Sequence, residues 1–252
     1  MFQPLVESPS LIAGLGAIAL MLVVIGIIDI RDRMRGGRET PPAPKSASYY
    51  RSMMILWTGA AICLASWSAS GQDLGMMGLG GGSGWRAVAG WVLAAGIVGY
   101  LVYSLVRAAT SPHTRADLRR QFTNAEGMDL LRPASAREHR DFQLLSLTAG
   151  ITEEIIFRGF LISVLALLWP LWLAVLVSVA VFLLAHIYQG PAGMLRILPI
   201  TLAMTGLYLL AGSLWPAIIV HVLVDATAGG LIALVDAFEE QDAAGADSAQ
   251  PA

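Results

Sequence analysis

Seven apolar stretches, residues 11–30, 53–70, 88–106, 144–168, 171–188, 197–214 and 217–235, recur along the 252-residue chain. Each is long enough to cross about 30 Å of hydrocarbon as a helix. A backbone in lipid has no water to satisfy its N–H and C=O groups, so a spanning segment is either a helix or part of a closed barrel. These stretches are too long for barrel strands and lack a period of two, which leaves helices. Only 13% of the residues are charged, against roughly 25% in an average soluble domain, so the chain cannot cover a water-facing surface. The expected fold is an all-α, polytopic transmembrane bundle of about seven helices.

The formal net charge of −2 hides where the charges fall. Arg31, Arg33, Arg35, Arg38, Lys45 and Arg51 lie between the first two stretches, and Arg107, Arg115, Arg119, Arg120, Arg132, Arg137 and Arg140 between the third and fourth. Such loops stay on the cytoplasmic side. The Gly-rich segment 75–84 and the turns at Trp169-Pro170 and Gly212-Ser213 carry little or no charge, and Arg196 falls in the remaining inward connection. An N-terminus outside and a C-terminus in the cytoplasm satisfies every loop. The first stretch has no basic residue before it and a basic cluster after it, so it is expected to stay as an anchor rather than be removed as a signal peptide.

The organisation expected is three N-terminal helices over residues 1–107, a basic loop over 108–143, a four-helix core over 144–236 and a disordered acidic tail over 237–252. Within the basic loop, residues 115–132 interleave Leu118, Phe122, Met128 and Leu131 with arginines, which suits an interfacial amphipathic helix. Pro41, Pro42 and Pro44 punctuate the first cytoplasmic loop. The single cysteine, Cys63, excludes an internal disulfide and any multi-cysteine metal site, and in its apolar stretch it reads as a small hydrophobe.

Ionisable residues inside the stretches are the costly ones. On insertion scales a charge at mid-bilayer costs about 2.5 to 3.5 kcal/mol, and Glu153, Glu154 and Arg158 share one helix. Glu154 and Arg158 stand i,i+4 with the acid first, the favourable order for a structural ion pair. Glu153 points about 100° away and is left as a candidate general base. The same three charges also fit a structural network between helices. His186 and His221 lie in two further stretches, and His221 and Asp225 are i,i+4 on one face. Imidazole beside a buried carboxylate makes a proton relay or a metal site. Phe182 precedes His186 by one turn and either fixes its ring or simply packs; His113 and His139 read as surface residues of the basic loop.

Glu153-Glu154-x-x-x-Arg158, Phe182-x-x-x-His186 and His221-x-x-x-Asp225, in that order and each in its own apolar helix, resemble the motifs of the CPBP family of intramembrane proteases, the CaaX prenyl endopeptidases and bacteriocin-processing enzymes also called Abi. The similarity covers the last four stretches, which would form a CaaX-protease-like core. It implies a CaaX type II (metallo)endopeptidase in which Glu153 and His186 activate water and His221 with Asp225 stabilise the oxyanion or complete a metal site. The family motif ends in Asn or Asp; an ionised Asp225 only accepts hydrogen bonds, so it is protonated in an oxyanion role or serves another one.

The catalytic candidates are thus Glu153, Glu154, His186, His221 and Asp225. Glu153, His186, His221 and Asp225 could instead ligate Zn²⁺ or another divalent metal, a role in keeping with the family's common label of metalloprotease. The implied substrate is a membrane-anchored or lipidated, CaaX-like protein or peptide; the bilayer is the other expected partner, and no nucleic acid is. A non-catalytic membrane scaffold or immunity protein and a proton-coupled transporter are the competing readings. In straight spans His186 and His221 would lie on the order of 10 to 15 Å apart in depth, so the turn at residues 212–216 is expected to dip into the membrane or the spans to tilt. A cavity open to the cytoplasm is expected at the site.

Overall fold

The computed structural model describes residues 8–36, 45–123 and 132–248. The described residues are helical apart from short turns. Helix α1 is Pro9–Gly36, α2 Ser46–Ala69, α3 Gly84–Thr110 and α4 Pro112–Thr123. Helix α5 covers residues 136–166 in three parts, Ala136–Glu153 in α geometry, Glu154–Leu161 in π geometry and Ile162–Ala166 in α geometry again. Then come α6 Leu171–Ala185, α7 Gly190–Ala211 and α8 Trp215–Ser248. Single 3₁₀ turns, Leu74–Met77 and Ile187–Gln189, lie between α2 and α3 and between α6 and α7.

All seven expected helices are present, but they are not equal. Five segments, Pro9–Ile28, Ser46–Ala69, Gly84–Thr110, Ile187–Ala211 and Trp215–Phe238, are long and apolar enough to cross a membrane. The other two differ for physical reasons. Helix α5 begins with a polar turn at Ser135, whose hydroxyl accepts from the Glu138 amide at 3.2 Å, and it changes to the wider π geometry midway. Helix α6 has 15 residues, about 22 Å at the α-helical rise, and stops short of a full crossing. These two helices carry Glu153, Glu154, Arg158 and the approach to His186.

One expectation about the connections changes, and another is met as far as the described residues reach. The acidic stretch expected to be disordered instead continues α8 as far as Ser248. Ala, Glu and Gln there are good helix formers, and propagating an existing helix is far easier than nucleating one. The amphipathic stretch is helical over Pro112–Thr123, and its remainder at 124–131 lies outside the described residues, as does the proline cluster at 41–44.

One end of the bundle gathers exposed tryptophans, Trp85, Trp169 and Trp172, and the other gathers Arg31, Arg107, Arg119, Arg120, Arg137 and Arg140. Indole rings favour a membrane interface, so the two groups mark the two faces. Arg86 is a basic residue at the Trp end, and it donates to the Leu209 carbonyl at 3.0 Å.

The core is built round the middle of α5, where Ile156, Phe157, Phe160 and Leu161 pack with Trp67 of α2, Phe182 of α6 and Leu214. A second cluster joins Ala94 of α3 to Met204 and Leu207 of α7 and Ala217 and Val220 of α8. Helices α5 and α8 run antiparallel and meet closely at Gly150: a Cβ there would lie 2.6 Å from the Val222 amide nitrogen. That approach is what brings α8 within reach of the two glutamates.

Candidate active site

The change from α to π geometry in α5 falls between Glu153 and Glu154. A π turn bonds i to i+5 and is frequent at functional sites. Here the Phe157 carbonyl accepts both the Ile162 amide five residues on and the Ser178 hydroxyl of α6, the latter at 2.7 Å. Glu154 and Arg158 form the expected pair, Nη1 to Oε1 at 3.0 Å, with side chains 0% and 2% exposed. A buried charge pair offsets its desolvation better when further hydrogen bonds reach it. Arg158 also donates to the Thr201 carbonyl of α7 at 3.4 Å and lies 4.3 Å over the ring of Phe182.

Glu154 does more than hold Arg158. The same Oε1 accepts from His221 Nδ1 at 2.7 Å, a bond across 67 positions of sequence that spacing rules could not reveal. A carboxylate oxygen at that distance fixes the hydrogen on Nδ1 and leaves Nε2 for the site. His186 reaches the same state by another route. Helix α6 ends at Ala185, and the His186 amide turns to the Leu183 carbonyl at 3.0 Å. This leaves the Phe182 carbonyl to accept from His186 Nδ1 at 2.9 Å. Carbonyls only accept, so here too Nδ1 carries the hydrogen.

The two Nε2 atoms converge on Glu153. Its Oε2 lies 4.0 Å from His186 Nε2 and 3.9 Å from His221 Nε2. Neither gap is a direct hydrogen bond; both suit a water about 2.8 Å from each partner. Asp225 Oδ2 stands 3.7 Å from His221 Nε2, and at 36% side-chain exposure Asp225 is the most open member of the group.

Phe182 is the packing centre of the cluster. Its ring stacks on His186 at 4.5 Å between centroids, meets His221 edge-on at 6.4 Å and Phe157 at 5.1 Å. The Tyr188 ring also lies against His186, at 5.8 Å between centroids. The sequence pointed to Glu153, Glu154, Arg158, His186, His221 and Asp225, and the fold brings all six together. Ser178, Thr201, Tyr188 and Gly150 were not legible, because a hydroxyl, a main-chain carbonyl, a loop ring and a close-packed glycine carry no motif. His113 is exposed and lies 3.1 Å from Asp117, whereas His139, read as a surface residue, is half-buried.

The donor set does not fit a metal as it stands. Tetrahedral zinc at about 2.0 to 2.1 Å from N and O ligands sets their mutual separations near ~3.3 Å, shorter than the spacings at Glu153 and Asp225. Among the described residues no group of three or more His, Cys, Asp or Glu is placed to hold an ion. No chemical step is therefore routed through a metal.

Residues 140–227 match the family described as Type II CAAX prenyl endopeptidase Rce1-like. This stretch is Rce1-like. The resemblance read from the three motifs is thereby confirmed, and the Rce1-like stretch holds all six clustered residues, from within α5 to two positions beyond Asp225. Helices α1 to α4 and the Gly-rich segment lie outside it. No curated protein and no solved structure matches the chain.

Proposed function

We propose that the protein is an intramembrane endopeptidase that hydrolyses a peptide bond in a membrane-anchored or lipidated, CaaX-like substrate, with Glu153 as the general base. One observation carries this reading: both imidazoles are tied at Nδ1, so their Nε2 atoms converge with Glu153 Oε2 on one point. A water held there is oriented by His186 and gives its proton to Glu153 as its oxygen attacks the substrate carbonyl carbon. The tetrahedral oxyanion takes a hydrogen bond from His221 Nε2 when that nitrogen carries a proton. Asp225 supports the same step, as a second donor if protonated or by holding the His221 proton if ionised. Glu153 then passes its proton to the amine nitrogen as the C–N bond breaks, leaving a carboxylate and a free amine.

The arginine-rich end faces the cytoplasm in this reading, by the distribution of positive charge. Helix α8 runs from the Trp end to the Arg end, so Asp225, the exposed member, lies on the cytoplasmic side of His221. Water and peptide enter from there. The test compares protein N-termini in membranes carrying wild-type protein or Glu153→Gln, with a chelator in a parallel arm. New N-termini should depend on Glu153, with cleavage reduced by about 10²-fold or more in the variant, and should survive the chelator. Equal cleavage by Glu153→Gln would sink the mechanism; loss in chelator restored by zinc would reassign Glu153, His186, His221 and Asp225 as ligands.

A further inference from the structure

The Gly-rich segment between α2 and α3 lies outside the Rce1-like stretch, yet it touches the part of the chain that sets where His221 stands. The Leu214 amide donates to the Gly78 carbonyl at 2.7 Å, the Ser213 hydroxyl to the Gly80 carbonyl at 2.7 Å and the Trp215 indole to the Leu79 carbonyl at 3.2 Å. Three successive residues at the entry to α8 are thus held by three successive carbonyls. The segment is itself anchored from below, because the Ser163 hydroxyl of α5 donates to the Met76 carbonyl at 3.3 Å and the Trp67 indole of α2 to the Asp73 carbonyl at 2.9 Å.

The contact lies well inside the bundle. A Cβ on Gly159 would come within 3.0 Å of Leu214 Cδ1 and 3.3 Å of the Met77 carbonyl. Gly159 precedes the end of α5 by seven residues, so the entry to α8 sits on the order of 10 Å below the Trp end of α5. Met77 and Leu214 are fully buried there. Irregular backbone at such depth is tolerated only when its polar groups are met by protein, which these bonds do. The same drop closes the depth gap between the histidines: His221 is six residues into α8, while Glu154 is twelve residues from the end of α5.

We propose that residues 76–80 are a strap that holds the start of α8 below the Trp-end surface and thereby positions His221 against Glu154 and Glu153. Glycine is required where the strap touches: Gly78 has φ +82°, and a Cβ on it would lie 2.6 Å from the Tyr208 ring and 3.2 Å from the Leu214 amide nitrogen. Gly81, three residues on, has open space around its Cβ position. The strap acts on catalysis only through His221, and that meaning rests on the proposed function; the positioning itself does not.

The experiment therefore reads His221 directly. In full-length protein reconstituted in lipid nanodiscs with ¹⁵N-labelled histidine, the Nδ1 proton held by Glu154 gives a resonance assigned by its absence in His221→Gln. Gly78→Ala should abolish that resonance, and Gly81→Ala should leave it as in wild type. Should Gly78→Ala fail to fold, the Ser213 pair decides: Ser213→Ala shifts or broadens the resonance at an unchanged unfolding midpoint, and Ser213→Thr, which keeps the hydroxyl, restores it. A wild-type resonance in folded Gly78→Ala or in Ser213→Ala overturns the strap, as does equal loss in Gly81→Ala. Peptidase activity is measured on the same samples. A strap confirmed by the resonance in a protein that cleaves nothing would leave the positioning standing and remove only the catalytic reading.

Discussion

Helices α3 and α5 face the membrane problem in opposite ways. Helix α3 turns Val88, Val92, Leu93, Val102 and Val106 outwards and buries a narrow line of small residues, Ala87, Gly90 and Ala94, against the bundle. Its backbone is satisfied within the helix, and lipid accepts its side chains. Every residue of the π segment in α5 is buried, two of them charged and paired with each other, and its polar groups take further partners from α6, α7 and α8. The contrast teaches that α3 is specified by composition and α5 by partners. Substitutions that are silent in the first should be costly in the second.

The largest effect is expected at Arg158. Replacing it with Met leaves Glu154 buried with His221 as its remaining partner, and Glu154 Oε2 already has no hydrogen bond among the described residues. Breaking one side of a buried pair costs about 3 to 5 kcal/mol. The unfolding midpoint in detergent should fall steeply for Arg158→Met, while Arg107→Met on the exposed end of α3 stays within about 0.5 kcal/mol of wild type. Similar losses for the two would erase the distinction between the helices.

Glycines give the intermediate effect. Gly150→Ala places a Cβ 2.6 Å from the Val222 amide nitrogen, so α5 and α8 must part, at roughly 1 to 3 kcal/mol. Parting them also lengthens the bond from Glu154 to His221, so peptide hydrolysis should fall more than stability does. Gly96→Ala in α3 meets nothing within 4 Å and should be neutral or slightly stabilising. A Gly150→Ala protein with full activity and midpoint would show that the close approach is not what sets the site.

This contrast also explains what could be read from the sequence. Apolar runs reveal α3-type helices directly, since length and composition are all that lipid asks of them, and those spans were legible to within a few residues at most ends. The pairing of Glu154 with Arg158 was legible because it is local. The bond from Glu154 to His221 was not, since it depends on the packing of Gly150 against Val222. Nor was the π turn, whose sequence looks like any buried helix. The acidic tail was misread because its composition resembles a disordered one, while its continuity with α8 favours helix.

The smallest effect is the sharpest test, because the chemistry changed is the same on both sides. Ser178, Ser104 and Thr58 each donate one hydroxyl hydrogen bond to a main-chain carbonyl, at 2.7, 2.9 and 2.8 Å. Ser104 and Thr58 return theirs to the carbonyl four residues back on their own helix, at exposed positions. Ser178 reaches across to Phe157, inside the π segment. Ser178→Ala should then cost about 1 kcal/mol, the net worth of a buried hydrogen bond, whereas Ser104→Ala and Thr58→Ala should cost next to nothing. Hydrogen exchange localises the cause: amides of the π segment should exchange faster in Ser178→Ala and unchanged in the other two. If all three variants behave alike, the π segment is held by its own backbone and the partner-based account of α5 is wrong.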